Sequence, residues 1–183
     1  MTLDIYERLG TDSEKTPQYS LVLDHLQRDR GRLRAQATDG SEVRIFLERG
    51  KPLQVGEILQ SQCDSYVEVV GAEEPVTTAH CNDWFTFSRA CYHLGNRHVK
   101  LQIGNRESAN GYWLRITPDH VLEEMLELLG LSLTREEAVF VPESGAYSGG
   151  HSHGHSHGHS HGHSHSHSYS HGDSHDHHEH HHH

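Results

Sequence analysis

His98-Val99-Lys100-Leu101-Gln102-Ile103 alternates polar and apolar side chains without a break. Side chains of an extended strand point to opposite faces in turn. The run therefore predicts a strand with Val99, Leu101 and Ile103 on one face and His98, Lys100 and Gln102 on the other. Upstream, Asn82 or Asp83 is placed to cap a helix whose apolar face is Trp84, Phe87, Cys91 and Leu94 and which Gly95-Asn96 ends. Val76-Thr77-Thr78-Ala79 reads as a short strand before that helix. Downstream, residues 112–117 read as a strand, and Thr117-Pro118 as a helix start, a capping hydroxyl followed by proline at the first helical position. Asp119 in the first turn suits the helix dipole. Val121, Leu122, Met125, Leu128 and Leu129 form the predicted buried stripe, which Gly130 ends, and Ala138-Val139-Phe140-Val141 closes with a strand.

The order is β-α-β-β-α-β over residues 76–141, the ferredoxin-like order. Helices cover one face of such a sheet. Val99, Leu101, Ile103, Leu114 and Ile116 are expected under them. His98 and Trp113 are then expected together on the open face, a surface suited to a partner.

The first half reads differently. Leu21-Val22-Leu23 and Arg32-Leu33-Arg34-Ala35 flank a charged stretch. Val43, Ile45 and Leu47 follow the hairpin signal Asp39-Gly40, and Glu57-Ile58-Leu59 and residues 65–70 add strands. This predicts a small all-β domain. Gly71-Ala72-Glu73-Glu74-Pro75 is the expected boundary. The fold class is α+β: an N-terminal β-domain over residues 1–73, a ferredoxin-like domain over 74–147, and a tail over 148–183.

The tail holds 17 of the 22 histidines, among Ser, Gly, three acids and Tyr169. It has almost no apolar surface to offset its ordering entropy, so it is expected to be disordered. Its histidines are His151, His153, His155, His157, His159, His161, His163, His165, His167, His171, His175, His177, His178, His180, His181, His182 and His183. Imidazole is the usual neutral-nitrogen ligand for nickel, zinc, copper and cobalt. Alternating His with Ser/Gly spacers suits a flexible chelator that holds several ions and exchanges them readily. His180 to His183 alone also fit a purification tag; the Ser/Gly-spaced run does not.

Without the tail, hydrophobic content rises from 33% to about 39%. All 15 Lys+Arg and 23 of the 26 Asp+Glu precede residue 151, so the body stands at −8. That charge argues against binding a phosphate backbone. There is no run of 18 apolar residues, so no membrane span is expected. Met1-Thr2-Leu3-Asp4-Ile5-Tyr6-Glu7-Arg8 lacks the regions of a secretory signal. Cys63, Cys81 and Cys91 form no C-x-x-C pair, which fits reduced thiols in a cytoplasm. No phosphate loop, H-E-x-x-H or nucleophile elbow is present, and no enzyme activity is expected.

Five histidines lie outside the tail: His25, His80, His93, His98 and His120. By spacing alone a single histidine such as His98 at a strand start is more often a surface or hydrogen-bonded residue than a ligand. If the open face dimerises about a two-fold axis, His98 meets its own copy and gives an open and labile two-imidazole site. For His120, in the first turn of a helix beside Glu123, Glu124 and Glu127, a ligand role and a surface role both stay open. Cys91 and His93 point about 200° apart on a helix and do not share an ion.

Arg89-Ala90-Cys91-Tyr92-His93-Leu94-Gly95-Asn96-Arg97-His98 with Leu101-Gln102-Ile103 resembles the UreE family of urease accessory proteins, nickel metallochaperones. Three further stretches share the resemblance: residues 49–59, 119–126 and 140–147. It implies an N-terminal domain likened to the peptide-binding domain of some heat-shock proteins. It also implies a homodimer formed through the ferredoxin-like domain, with one metal held between the two copies of His98. Tail histidines supply further Ni2+ ligands, with Zn2+, Cu2+ or Co2+ as in-vitro alternatives. The implied partners are the urease GTPase accessory protein and the apo-urease accessory complex. Where some members carry a His-x-His pair this chain has Pro118-Asp119-His120.

The expected function is capture and delivery of nickel to urease. Two rivals remain: a general nickel, zinc or copper buffer with no client, and a polypeptide-binding chaperone acting through the first domain.

Overall fold

Short alternating runs build the first half of the chain. The computed structural model describes residues 1–104 and 111–145. Strands β1 (Thr2–Gly10), β2 (Tyr19–Leu23), β3 (Arg32–Gln36), β4 (Glu42–Phe46), β5 (Ile58–Ser61) and β6 (Tyr66–Gly71) form one sheet in the order β2-β6-β5-β1-β4-β3. Leu3, Ile5, Leu21, Leu23, Val43, Ile45, Leu59, Val67 and Val69 point inward and form its core. The Asp39-Gly40 turn joins β3 to β4 as the sequence predicts, with Gly40 at φ +87.

Two elements here go beyond the sequence reading. β1 is a central strand, although the sequence suggests none there. Its alternation is brief, because register shifts follow Ile5 and Arg8, and its buried Asp4 looks unlike a core residue. Arg44 satisfies that carboxylate through two hydrogen bonds, at 2.6 and 2.8 Å. The charged stretch after β2 contains a short helix, α1 (His25–Arg28), so this half is not all-β. Asp24 caps α1 in a reciprocal box with Gln27.

The second half follows β7 (Glu73–Cys81), α2 (Trp84–Asn96), β8 (Gln102–Ile103), β9 (Tyr112–Ile116), α3 (His120–Leu128) and β10 (Ser132–Val139). The element order is the expected one. The sheet runs β10-β7-β9-β8 and is antiparallel throughout. Ala79, Phe87, Ala90, Leu94, Leu114, Ile116, Leu126 and Leu131 fill the space between sheet and helices.

Several details correct the sequence reading. Trp84 is 63% exposed and Cys91 half-buried, while Ala90 takes a core position. Asp83 is the cap of α2, accepting from the Thr86 amide. α3 starts at His120, because the Asp119 carboxylate caps the amides of Val121 and Leu122; Thr117-Pro118 lie before the helix. Its stripe is Leu122, Met125, Leu126 and Leu129, with Glu123 also buried, whereas Val121 and Leu128 are exposed. Glu123 lies inward because Thr77 and Arg135 hold it. The last strand ends at Val139 and carries Arg135, Glu136 and Glu137. Glu136 accepts from Thr78 and Arg115, so charge along the strand is paired within the fold. The predicted strand over 98–103 shrinks to β8, and Ile103 is exposed.

The two sheets are joined at residue 72, the one residue between β6 and β7. Glu74 accepts from the backbone amide of His25 at 2.9 Å and contacts its Nδ1 at 2.5 Å. The His25 ring meets Phe140 edge-on at 4.9 Å. Lys100 reaches Asp29 across the seam. The predicted tail, residues 148–183, lies outside the described residues.

Hydrogen bonds from Arg135 and then Thr77 hold the Glu123 carboxyl below the usual carboxylate range. Its stabilisation is present above the unfolded value of about 4.3 and is lost as pH falls through the lower folded value. Urea unfolding from pH 6 to pH 3 should show that loss. Glu123→Gln should lower stability at pH 6 by about 1–2 kcal/mol and flatten the acid limb, the mostly exposed Arg135 limiting the effect. An unchanged acid limb would refute this assignment.

Candidate metal centre

The end of α2 decides where His98 goes. Leu94 sits fully buried near the helix end, so its carbonyl must be satisfied within the chain. The Arg97 amide donates to it at 3.1 Å and the Val99 amide at 3.2 Å, while the His98 amide donates to the Gly95 carbonyl at 2.9 Å. These crossed bonds close a helix on a left-handed residue. That residue is His98, with φ +56. Glycine usually occupies such a position; histidine there carries steric strain.

The turn turns Val99 back toward Leu94, and both join the second core. It also takes His98 off the sheet. His98 is therefore not on the open face with Trp113. It is exposed, in the turn beyond the C-terminus of α2. Trp113 is half-buried, with the Arg115 guanidinium 5.0 Å from its ring centre. The residue across from it is His80, whose Nδ1 is buried without a partner among the described residues.

An exposed aromatic face leads along α2 toward His98. Phe85 and Tyr92, seven residues apart and thus on one side of the helix, are each 68% exposed. Arg89 lies between them with its guanidinium 5.9 Å from the Phe85 ring. His93 is half-buried, its ring edge-on to Tyr92 at 5.4 Å, and its carbonyl accepts from Arg97.

His120 is exposed at the first position of α3, in a recess of about 380 Å³ shared with Glu123, Glu124, Glu127, Leu133 and Arg135. Glu123 is already engaged by Thr77 and Arg135. His25 is buried against Glu74 and Phe140 and serves the seam. Burial pushes the Cys81 and Cys91 thiols up. Hydrogen bonds from Ser61 and then Ser65 hold the exposed Cys63 thiol down.

Among the described residues no three His, Cys, Asp or Glu side chains converge to hold an ion. His98 and His120 are not brought together by an intervening ligand set. The tail histidines from His151 to His183 lie outside the described residues. Sequence reasoning missed the left-handed His98. The signal for it is Leu94-Gly95-Asn96-Arg97-His98, where glycine is present but three residues ahead of the left-handed position.

Two family models cover this chain: the UreE urease accessory protein N-terminal domain over residues 5–72, and the C-terminal domain over residues 74–167. The chain is similar to a urease accessory protein UreE of Marinomonas sp. (strain MWYL1), at 62% identity over 146 residues, covering 80% of this chain and 95% of that protein. It is also similar to the proteins of that name from Alteromonas mediterranea, at 52% identity over 70% of this chain and 79% of the relative, and Psychromonas ingrahamii, at 48% over 79% and 91%.

Strain at His98 predicts a separation of stability from binding. His98→Gly should unfold within about 1 kcal/mol of the parent, since glycine relieves the positive φ but adds chain entropy. His98→Val should lose about 1–2 kcal/mol, because a β-branched residue fits that φ badly. Thermal melts of the two variants check this order; equal melts would remove the left-handed turn as a constraint.

Proposed function

The chain belongs to the UreE family of urease accessory proteins, and from that premise we propose that it is a nickel metallochaperone rather than an enzyme. It captures Ni2+ and delivers it for assembly of the urease metallocentre in the cytoplasm. The single observation that carries this reading is His98: an exposed imidazole on a strained turn at the end of an exposed aromatic helix face.

The second half, read as a ferredoxin-like domain over residues 74–147, dimerises. Exposed Phe85 and Tyr92 need a cover, and a second copy of the same face supplies one. Two-fold pairing along α2 brings the two His98 rings near the axis. Two imidazoles leave coordination positions open for water, tail histidines or a client's ligands. An ion held this way leaves readily for a better ligand set. In this reading the pairing runs along the helix end, where His98 lies, and not over the open sheet face.

The tail histidines act collectively as capacity. They gather Ni2+, and in vitro Zn2+, Cu2+ or Co2+, near the His98 pair. His120 is a further ligand with Glu124 and Glu127 beside it. The clients are the urease GTPase accessory protein and the apo-urease complex. The half built on residues 1–73 binds polypeptide partners. Among the described residues no helix is long and apolar enough to cross a membrane.

Calorimetric nickel titration tests the centre. The parent should bind one tight ion per dimer plus a weaker set. His98→Ala should lose the tight ion while remaining dimeric by light scattering. A tight ion that survives the substitution refutes the assignment of His98. Deleting residues 151–183 should remove most weak sites and still allow urease activation at saturating nickel. If activation instead tracks total ion capacity, the protein is a buffer. Because imidazole must be neutral to bind, tail uptake should weaken as pH drops through about 6.5.

A further inference from the structure

β10 is an outer strand of the second sheet. Among the described residues it pairs with β7 alone, in register from Ser132 to Val139. Its other edge therefore offers a row of backbone amides and carbonyls along an eight-residue strand. Ser132 and the run from Thr134 to Glu137 are exposed there. A long open edge is a template for another strand, so the charges beside it decide which strand can join.

Side chains alternate along β10. Leu133, Arg135 and Glu137 lie on the α3 side, where Leu133 packs against the second core and Arg135 donates to Glu123. Both cations near this edge are matched within the fold, Arg135 by Glu123 and Arg115 by Glu136. Glu137 is not matched. Glu124 and Glu127 of α3 line one recess with Leu133 and Arg135, so the helix acids stand beside the strand. All three acids are exposed, and none has a hydrogen-bonded or ion-paired side-chain partner among the described residues. A second copy of this edge would bring three more such acids to the same side, and like charges across a strand pair are destabilising. A strand with cations at every second position instead places them opposite Glu137 and beside Glu124 and Glu127, while its backbone extends the ladder.

We propose that the β10 edge takes up a basic extended segment of a partner protein as a fifth strand, with lysine or arginine at alternate positions on the α3 side. The site belongs to the second half of the chain, needs no nickel and does not involve His98.

Fluorescence anisotropy on the metal-free full chain tests it, at pH 8 where tail imidazoles are neutral. The probe is a dye-labelled, end-capped octapeptide of alternating lysine and threonine. Its control is the same peptide N-methylated at every amide, which keeps the charge and removes the strand's donors. The probe should bind about tenfold more tightly than the control, because the ladder contributes beyond charge attraction. Glu137→Lys should weaken the probe about tenfold, by turning a cross-strand attraction into a repulsion. Glu7→Lys makes the same charge change at an exposed position of β1 and should leave binding within about twofold. Equal affinity for probe and control reduces the contact to charge attraction and overturns the proposal. So does equal weakening by Glu137→Lys and Glu7→Lys. Sedimentation velocity covers the other occupant: parent and Glu137→Lys should sediment alike, and an assembly of the parent that Glu137→Lys dissolves gives the edge to a second copy and overturns the proposal too.

Discussion

A helix that buries its last turn must satisfy its own carbonyls, and in this protein that requirement falls on residue 98. Leu94 is locked in the second core, so the chain closes over it with amides from Arg97 and Val99. The closure needs a left-handed residue at position 98, and the residue there is histidine. Such a conformation costs a side chain with a Cβ about 1–2 kcal/mol. Three consequences follow from the one turn. Val99 folds back into the core, the following strand is reduced to Gln102–Ile103, and the imidazole is presented to solvent at the end of α2. Glycine meets such a position without strain, and histidine, like Asp64 at the same φ, meets it at a cost. On the proposed reading, the strain is held by a side chain able to bind an ion.

The second half does not stand alone. Its sheet face opposite the helices is covered at one end by α1, through His25, Glu74, Phe140 and Arg28. Among the described residues, the buried side-chain polar atoms of this seam are hydrogen-bonded except the Nε of Arg28. On the other side of the sheet, Thr77, Glu123 and Arg135 form a charged network beneath α3. Polar groups thus lie on both faces of β7, a strand that joins β9, β10 and the first sheet. This explains why β7 is nine residues long where its apolar content suggests four: hydrogen-bonded pairing with β10 continues through the acids at 73 and 74 and through Pro75.

Periodicity made the element order legible. Val43 and Ile45, Phe87 and Leu94, Leu114 and Ile116 all face the cores their spacing assigns. What periodicity missed was set by polar pairing across long sequence distance. β1 is central because Arg44 answers Asp4 forty residues away, and α3 is rotated because Arg135 answers Glu123. The alternation of residues 98–103 was real, but local hydrogen bonding at the helix end overrode it. The same override moved His98 from sheet to turn. The histidine was legible as a candidate because the surrounding motif resembles a family; its position was not, because glycine at 95 suggested an earlier left-handed end.

Position also separates the two kinds of histidine in this chain. The seventeen of the tail are interchangeable by composition, so on the proposed reading losing one changes capacity by a small fraction. His98 has no substitute on its turn, and a protomer offers no converging set of ligands around it among the described residues. On the proposed reading, that incompleteness is functional. A single protomer with a full ligand set would bind its ion for storage, whereas a site completed only by a second copy holds the ion with open positions. Ligand exchange at such a site proceeds by addition before departure, so the ion passes between protein ligands without being released to water. On that reading a histidine-rich tail and a short strained turn serve different steps, one raising the local supply and the other fixing where transfer begins.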